Sequence, residues 1–210
     1  MKLIFLGPPG AGKGTVSVKA ALTFGVPHIS TGDIFRDAIR HGTELGHAVK
    51  DLIDAGQLVP DELTVDLVRE RLDEPDAARG WMLDGFPRTI PQAEALDAFR
   101  PEDRVIDFAI DDAIVIARLS GRRVCPRCGA SFNVVSMPPK EEGRCDACGG
   151  KLETRVDDRE ESVRSRIEVY RERTAPLIGY YERKGTLVRV DADRPAPLVL
   201  ADVLALAGSL

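Results

Sequence analysis

Apolar residues along this chain gather in short runs. Lys2–Leu6 (KLIFL) is almost continuously apolar, and so are WMLDGF around Trp81, RVIDFAI around Val105 and TLVRV from Thr186. Runs of this length, bounded by Gly, Pro and charged residues, predict buried strands. Residues 13–24 instead carry apolar side chains at helical spacing, and helical patterns also flank the later runs. Strands alternating with helices of about ten to fifteen residues predict an α/β protein with a parallel sheet covered on both faces. Ligands of such sheets gather beyond the carboxyl ends of the strands, where the glycine loop after Leu6 and Asp84 would both lie.

Two stretches break the alternation. Residues 30–59 (STGDIFRDAIRHGTELGHAVKDLIDAGQLV) read as wholly helical, with Thr31, Asp33 or Thr43 as available caps. Residues 122–158 are rich in Cys, Gly, Pro and charge and poor in apolar side chains, the pattern of an inserted mini-domain. From Pro197 the Ala/Leu-rich sequence predicts a closing amphipathic helix. There is no internal repeat and no low-complexity tract.

Composition adds exclusions. With 43% hydrophobic and 30% charged residues in 210, the chain can bury one substantial core and is not a disordered polymer. No apolar run approaches the roughly 20 residues of a membrane span, and Leu3–Leu6 is too short for a signal-peptide core. The expectation is a cytoplasmic protein without a membrane partner, its four cysteines reduced. A net charge of −5 argues against nucleic acid as a partner, but the charge is uneven: residues 118–166 hold eleven Lys or Arg against eight acids, +3 on a body that carries −8. A basic segment on an acidic body suits a small polyanion held in a cleft.

Gly7-Pro-Pro-Gly-Ala-Gly-Lys13-Gly-Thr15 has the G-x-x-x-x-G-K core of a P-loop, with Gly14 where the generic pattern has Ser or Thr and the hydroxyl one residue late at Thr15. Glycines let successive N–H groups turn inward, the helix N-terminus adds its dipole, and Lys13 supplies a mobile charge, so the loop is built for phosphates. The displaced hydroxyl leaves open whether Thr15 touches magnesium. Cys125-x2-Cys128 and Cys145-x2-Cys148, sixteen residues apart, have the spacing of a four-thiolate zinc site, which leaves no open coordination position and therefore reads as a staple. Unpaired buried thiols or two disulfides are the alternatives. His28, His41 and His47 read as structural or surface residues.

Further segments run in order through nearly the whole chain: STGDIFR at 30–36, GQLVPD at 56–61, LDGFPRT at 83–89 with Gln92, GRRVC at 121–125, RVDDREESVRSR at 155–166 and PLIGYY at 176–181. Together they resemble the zinc-containing long form of the bacterial adenylate kinases, within the nucleoside monophosphate kinases. The resemblance implies a P-loop NTPase-type parallel five-stranded sheet with helices on both faces. It divides the chain into a core (1–29, 60–121, 159–210), a helical AMP-binding insert (30–59) and a small zinc-ribbon-like lid (122–158). It implies ATP, AMP and ADP as partners, magnesium with ATP, structural zinc on the four cysteines, and a monomer.

Carried over residue by residue, the resemblance puts Gly10, Ala11, Gly12, Lys13, Gly14 and Thr15 around the ATP phosphates, with Arg118 and Arg122 clamping ATP. Thr31, Arg36, the backbone near Gln57 and Val59, Gly85, Arg88 and Gln92 would hold AMP, and Arg155 and Arg166 would reach across both phosphate chains. Asp84, with Asp33 as a second candidate, would organise magnesium through water. Phe132 stands on the ATP side where many relatives have Tyr; stacking or packing survives that change, a hydrogen bond from the hydroxyl does not.

Transfer between two phosphate chains is limited by repulsion and alignment, and the acceptor, whose second pKa is about 6, needs no strong base. The residues fit that need: Lys13, Arg88, Arg122, Arg155 and Arg166 are fixed cations, Asp84 is the acid of the set, and there is no kinase H-R-D loop. Asp84 could instead cap the helix near Thr89, and Asp157 and Asp158 could cap the next helix or hold Arg122. Two rival readings remain: a UMP/CMP kinase, against which Thr31, Thr89 and the cysteine lid argue, and a zinc-ribbon nucleic-acid regulator that binds ATP.

Overall fold

The computed structural model describes residues 1–209. Five strands form one parallel sheet: β1 (Lys2–Leu6), β2 (His28–Ser30), β3 (Trp81–Asp84), β4 (Arg104–Ala109) and, numbered after two short strands described below, β7 (Leu187–Asp191), in the order β2-β3-β1-β4-β7. The strand β2 has no counterpart in the sequence reading, because three residues are too few to show a period of two. Its register, with Ser30 beside Asp84 and Phe5 on the other side of Asp84, sets three strand ends at one edge of the sheet.

Alternation along β1 divides the core. Leu3 and Phe5 face α1 (Lys13–Phe24) and the closing helix α9 (Ala196–Gly208), meeting Val16, Ala20, Phe108 and Val203. Ile4 and Leu6 face α4 (Asp61–Leu72), α5 (Ile90–Phe99) and α8 (Pro176–Lys184), among Val68, Trp81, Leu83, Leu96 and Tyr181. A sheet buried on both faces explains why its strands read as continuous apolar runs.

Residues 30–59 are not wholly helical. After Ser30 the chain forms α2 (Thr31–Arg40), turns at Gly42 with φ +63°, and forms α3 (Glu44–Asp54); residues 57–60 carry no helix. The cap of α2 is Ser30, whose hydroxyl accepts from the Asp33 N–H, rather than Thr31 or Asp33, while Thr43 caps α3 as expected. Phe35, Val49 and Val59 give this insert a small core of its own. After α6 (Asp112–Ser120) the chain forms an antiparallel pair, β5 (Arg122–Val124) and β6 (Ser131–Asn133), and returns through a short 3-10 turn at Val156–Asp158 to α7 (Glu160–Val169). Neither Asp157 nor Asp158 caps α7, which starts without a side-chain cap.

Candidate active site

Between β1 and α1 the chain turns on glycines. Gly12, at φ +91°, precedes α1 without any side-chain cap, so the first N–H groups of the helix stay open for an anion. Gly10 lies so close to α6 that a Cβ would stand 2.9 Å from Leu119 Cγ. The departure from the generic motif also has a local cause: a Cβ on Gly14 would come within 3.2 Å of Asp84 Oδ2, so glycine lets the carboxylate close on the start of the helix. The ammonium of Lys13 donates to the carbonyls of Gly7 (2.7 Å) and Pro8 (2.8 Å). Burial pushes it down to about 8, the charges of Arg88, Arg166 and Arg122 adding to the effect and that of Asp84 opposing it. Burial acts to raise Asp84, but the imidazole of His28, 3.8 Å away, and the Lys13 charge hold it below the ordinary carboxylate value.

A second recess opens beside the loop. Thr31 and Arg36 of α2, Gln57 and Val59 beyond α3, and Gly85, Arg88 and Gln92 around the start of α5 all line it, with Arg166 of α7 opposite. The Thr31 hydroxyl and the Arg88 Nε both donate to the Gly85 carbonyl at 2.8 Å. Thr89 caps α5 by accepting from the Gln92 N–H, and Gln92 reaches back to accept from the Arg88 N–H at 2.7 Å; Asp84 takes no part in this cap. Its amide nitrogen donates to Asp61, so Gln92 lines the recess with both amide atoms already engaged.

Cations converge on this place from separate elements. Arg36 pairs with Asp33 at 2.6 Å, and Arg155 stands 4.0 Å from the same carboxylate. Burial opposes ionisation of Asp33, yet Arg36 and Arg155 hold it below the ordinary value. Asp158, with no exposed side-chain surface, takes Arg122 in a two-point pair and Arg166 at 3.0 Å, and Asp157 accepts from Arg166 as well. Burial and the neighbouring arginines push Arg88 down to about 10 and Arg155 to about 9, and lower Arg166 as well. All stay charged at neutral pH, crowded at a cost that an added polyanion would relieve. Arg118 lies on the other side of the P-loop, its fork near the carbonyls of Ala11 and Asp193.

A family profile for adenylate kinase matches residues 5–186. The adenylate kinase of Treponema denticola is 53% identical over 201 residues, 96% of either chain. That of Lachnospira eligens is 52% identical over 213 residues, 99% of this chain and all of its own. Archaeoglobus fulgidus has one 50% identical over 92% of each chain.

This chain belongs to the adenylate kinase family. The four cysteines read as a thiolate site come together in a small module. Its four sulfurs lie within 4.8 Å of one another, a group that one metal ion could bind. The two halves repeat one hydrogen-bond pattern: Gly129 N–H donates to Cys125 O and Gly149 N–H to Cys145 O, while the Cys125 and Cys145 N–H groups donate to Ala130 and Gly150. Each half thereby turns two thiols toward the same point. Phe132, expected on the ATP side, packs with Cys125, Cys145 and Leu152 in the core of the module, a contact that an aromatic ring without a hydroxyl can make.

Three members of the site escaped the sequence reading. Asp61 braces Gln92, Thr174 donates to the Arg88 carbonyl, and Ser165 accepts from Gln57. Asp61 and Ser165 lie inside the quoted segments 56–61 and 155–166, but nothing in those segments gives either a role; only the T-x-x-Q spacing of Thr89 and Gln92 signals the capping arrangement that Asp61 supports. Among the described residues no helix is long and apolar enough to cross a membrane.

Proposed function

We propose that this chain transfers the γ-phosphoryl group of ATP reversibly to AMP, giving two ADP. The observation that carries the reading is the meeting of an open helix N-terminus and Lys13 with a recess walled by Arg36, Arg88 and Arg166, so that one anion site faces another. In this assignment residues 10–15 and Lys13 hold the ATP phosphates, with Arg118 beside them. Thr31, Arg36, Gln57, Val59, Gly85 and Gln92 form the AMP side, and Arg88, Arg122, Arg155 and Arg166 flank the group in transit. Arginine forks match phosphate oxygens in two-point contacts, and their charge offsets the repulsion of the two chains. No side chain needs to take a proton from the acceptor, which is mostly ionised at neutral pH.

Magnesium fits the hard oxygen donors of Asp84 and Asp33, both kept ionised. Bound with ATP, it supplies neutralisation of phosphate charge; Asp84 would hold its water shell beside Gly14. The four thiols suit zinc in a closed structural site, which we assign as the staple of a lid spanning 122–158 over a core of 1–29, 60–121 and 159–210, with 30–59 as the AMP-binding insert. The protein acts in the cytoplasm as a monomer in this reading.

The AMP recess encloses about 50 Å³, whereas ligand pockets run to roughly 300 Å³ and more. Its walls must therefore part to admit AMP. Contacts across the cleft fit such a motion: Arg40 donates to the Pro126 carbonyl at 2.5 Å, Gln57 to Ser165 and Ser162 to the Asp54 carbonyl. Closure keeps water from the transferring group. The test is a coupled assay with ATP and magnesium and each of AMP, UMP, CMP and GMP. ADP formed with AMP alone supports the reading, and turnover chiefly with a pyrimidine nucleotide would replace it.

A further inference from the structure

From Glu160 to Lys184 the chain is one helical rod with a single irregularity, a π turn at Tyr170–Thr174. Its cause stands just beyond it. Pro176 has no N–H to give and its ring would meet the carbonyl four residues back in a regular helix. The chain widens instead, and the Ala175 N–H donates to Tyr170 O, five residues away, at 2.8 Å. A threonine within a helix ordinarily turns its hydroxyl to a carbonyl one turn back. In the widened turn Thr174, 7% exposed, donates to the carbonyl of Arg88 at 2.9 Å.

That bond completes a set. The Arg88 N–H is held by Gln92 Oε1, itself tethered to Asp61, and Arg88 Nε is held by the Gly85 carbonyl. With Thr174 on the carbonyl, both polar groups of the Arg88 main chain end on side chains, one from the first turn of α5 and one from 86 residues along the chain. A fixed peptide plane fixes the base of the side chain, and a guanidinium several bonds out moves by more than its base does.

We propose that Thr174 is a positioning residue for phosphoryl transfer, and that the π turn aims its hydroxyl at the Arg88 peptide to hold the guanidinium in register with the phosphates. The inference rests on the assignment of Arg88 above. Its test compares Thr174→Val, which keeps the shape and loses the donor, with Thr174→Ser, which keeps the donor. Misplacement by about an ångström costs up to about a hundredfold in rate. Thr174→Val should lower kcat at least tenfold while KM for ATP stays within twofold, and Thr174→Ser should recover kcat to within about twofold of the parent. In an Arg88→Ala background Thr174→Val should change nothing further, since there is no guanidinium left to place. Full turnover in Thr174→Val, or an equal loss added on top of Arg88→Ala, overturns the role of Thr174. Full turnover in Arg88→Ala overturns the assignment of Arg88 itself. Should Thr174→Val fail to fold, Thr174→Ala against Thr174→Ser carries the same comparison.

Discussion

Around the central sheet, two clusters of fourteen buried apolar residues each close over the two faces. The cysteine module has four buried residues in its core, and two of these, Cys125 and Cys145, are candidate metal ligands. The sheet excludes water with side chains such as Trp81 and Leu83, whose burial is the folding force itself. The module has too little apolar surface for that, and its shape depends on whatever joins the sulfurs. Yet both regions deliver charged residues to one cleft, Lys13 and Asp84 from the sheet edge and Arg122 and Arg155 from the borders of the module. A site assembled in this way has one rigid wall and one wall whose order is conditional.

Removing the zinc proposed for the four thiols separates the two most sharply. Structural zinc contributes on the order of 10 kcal/mol to a site of four protein ligands. A chelator, or Cys145→Ser, should therefore abolish the order of residues 125–152 while the core stays folded in the cold. Trp81 is the only tryptophan and is fully buried in the sheet, so its fluorescence reports the core alone. Circular dichroism and zinc content should change with Trp81 emission unmoved, and measurable turnover should remain at low temperature. Simultaneous loss of the Trp81 signal would show that core and module fold as one unit.

Apolar truncations sharpen the same contrast at smaller scale. Leu83→Ala opens a cavity in the sheet core and should cost about 2–5 kcal/mol in urea unfolding followed at Trp81. Leu152→Ala in the metal-loaded protein should cost about 1 kcal/mol or less at the same probe, because the module can collapse around a site whose shape the ligands set. Its effect should show instead as faster loss of metal to a chelator. Equal destabilisation at Trp81 by both variants would contradict the division.

The difference between the regions also governs what the chain disclosed before folding. Leu3–Leu6, the P-loop and the two Cys-x2-Cys pairs were legible because each signal is local: a run, a loop or a spacing written in neighbouring residues. His28–Ser30 was not, since its strand character comes from pairing with β3 rather than from its own pattern. The role of Asp158 was visible only as one of two options, because a carboxylate next to a helix start serves equally as a cap or as a partner for an arginine 36 residues away. Thr174 was beyond reach altogether: Pro176 marks a disturbance, but which carbonyl the displaced hydroxyl meets is set by packing 86 residues back in the chain.

The thiolate site and the P-loop should also answer pH in opposite senses. Protons compete with a metal for thiolates, so acid weakens the module. In the P-loop the competition runs the other way. Burial has pushed the free Lys13 ammonium down to about 8, so as pH rises through that value the unliganded protein loses a charge that bound phosphate would retain. Binding of ATP must then take up a proton, and its affinity should fall about fivefold between pH 8 and 9, steepening toward about tenfold per unit above that. ATP titrations by calorimetry in buffers of different ionisation enthalpy would show the uptake directly. Lys13→Arg, which keeps its charge throughout this range, should bind more weakly at pH 7 but with a flat profile. A flat profile in the parent protein would mean that Lys13 remains charged without a ligand, and that its bonds to the Gly7 and Pro8 carbonyls offset its burial.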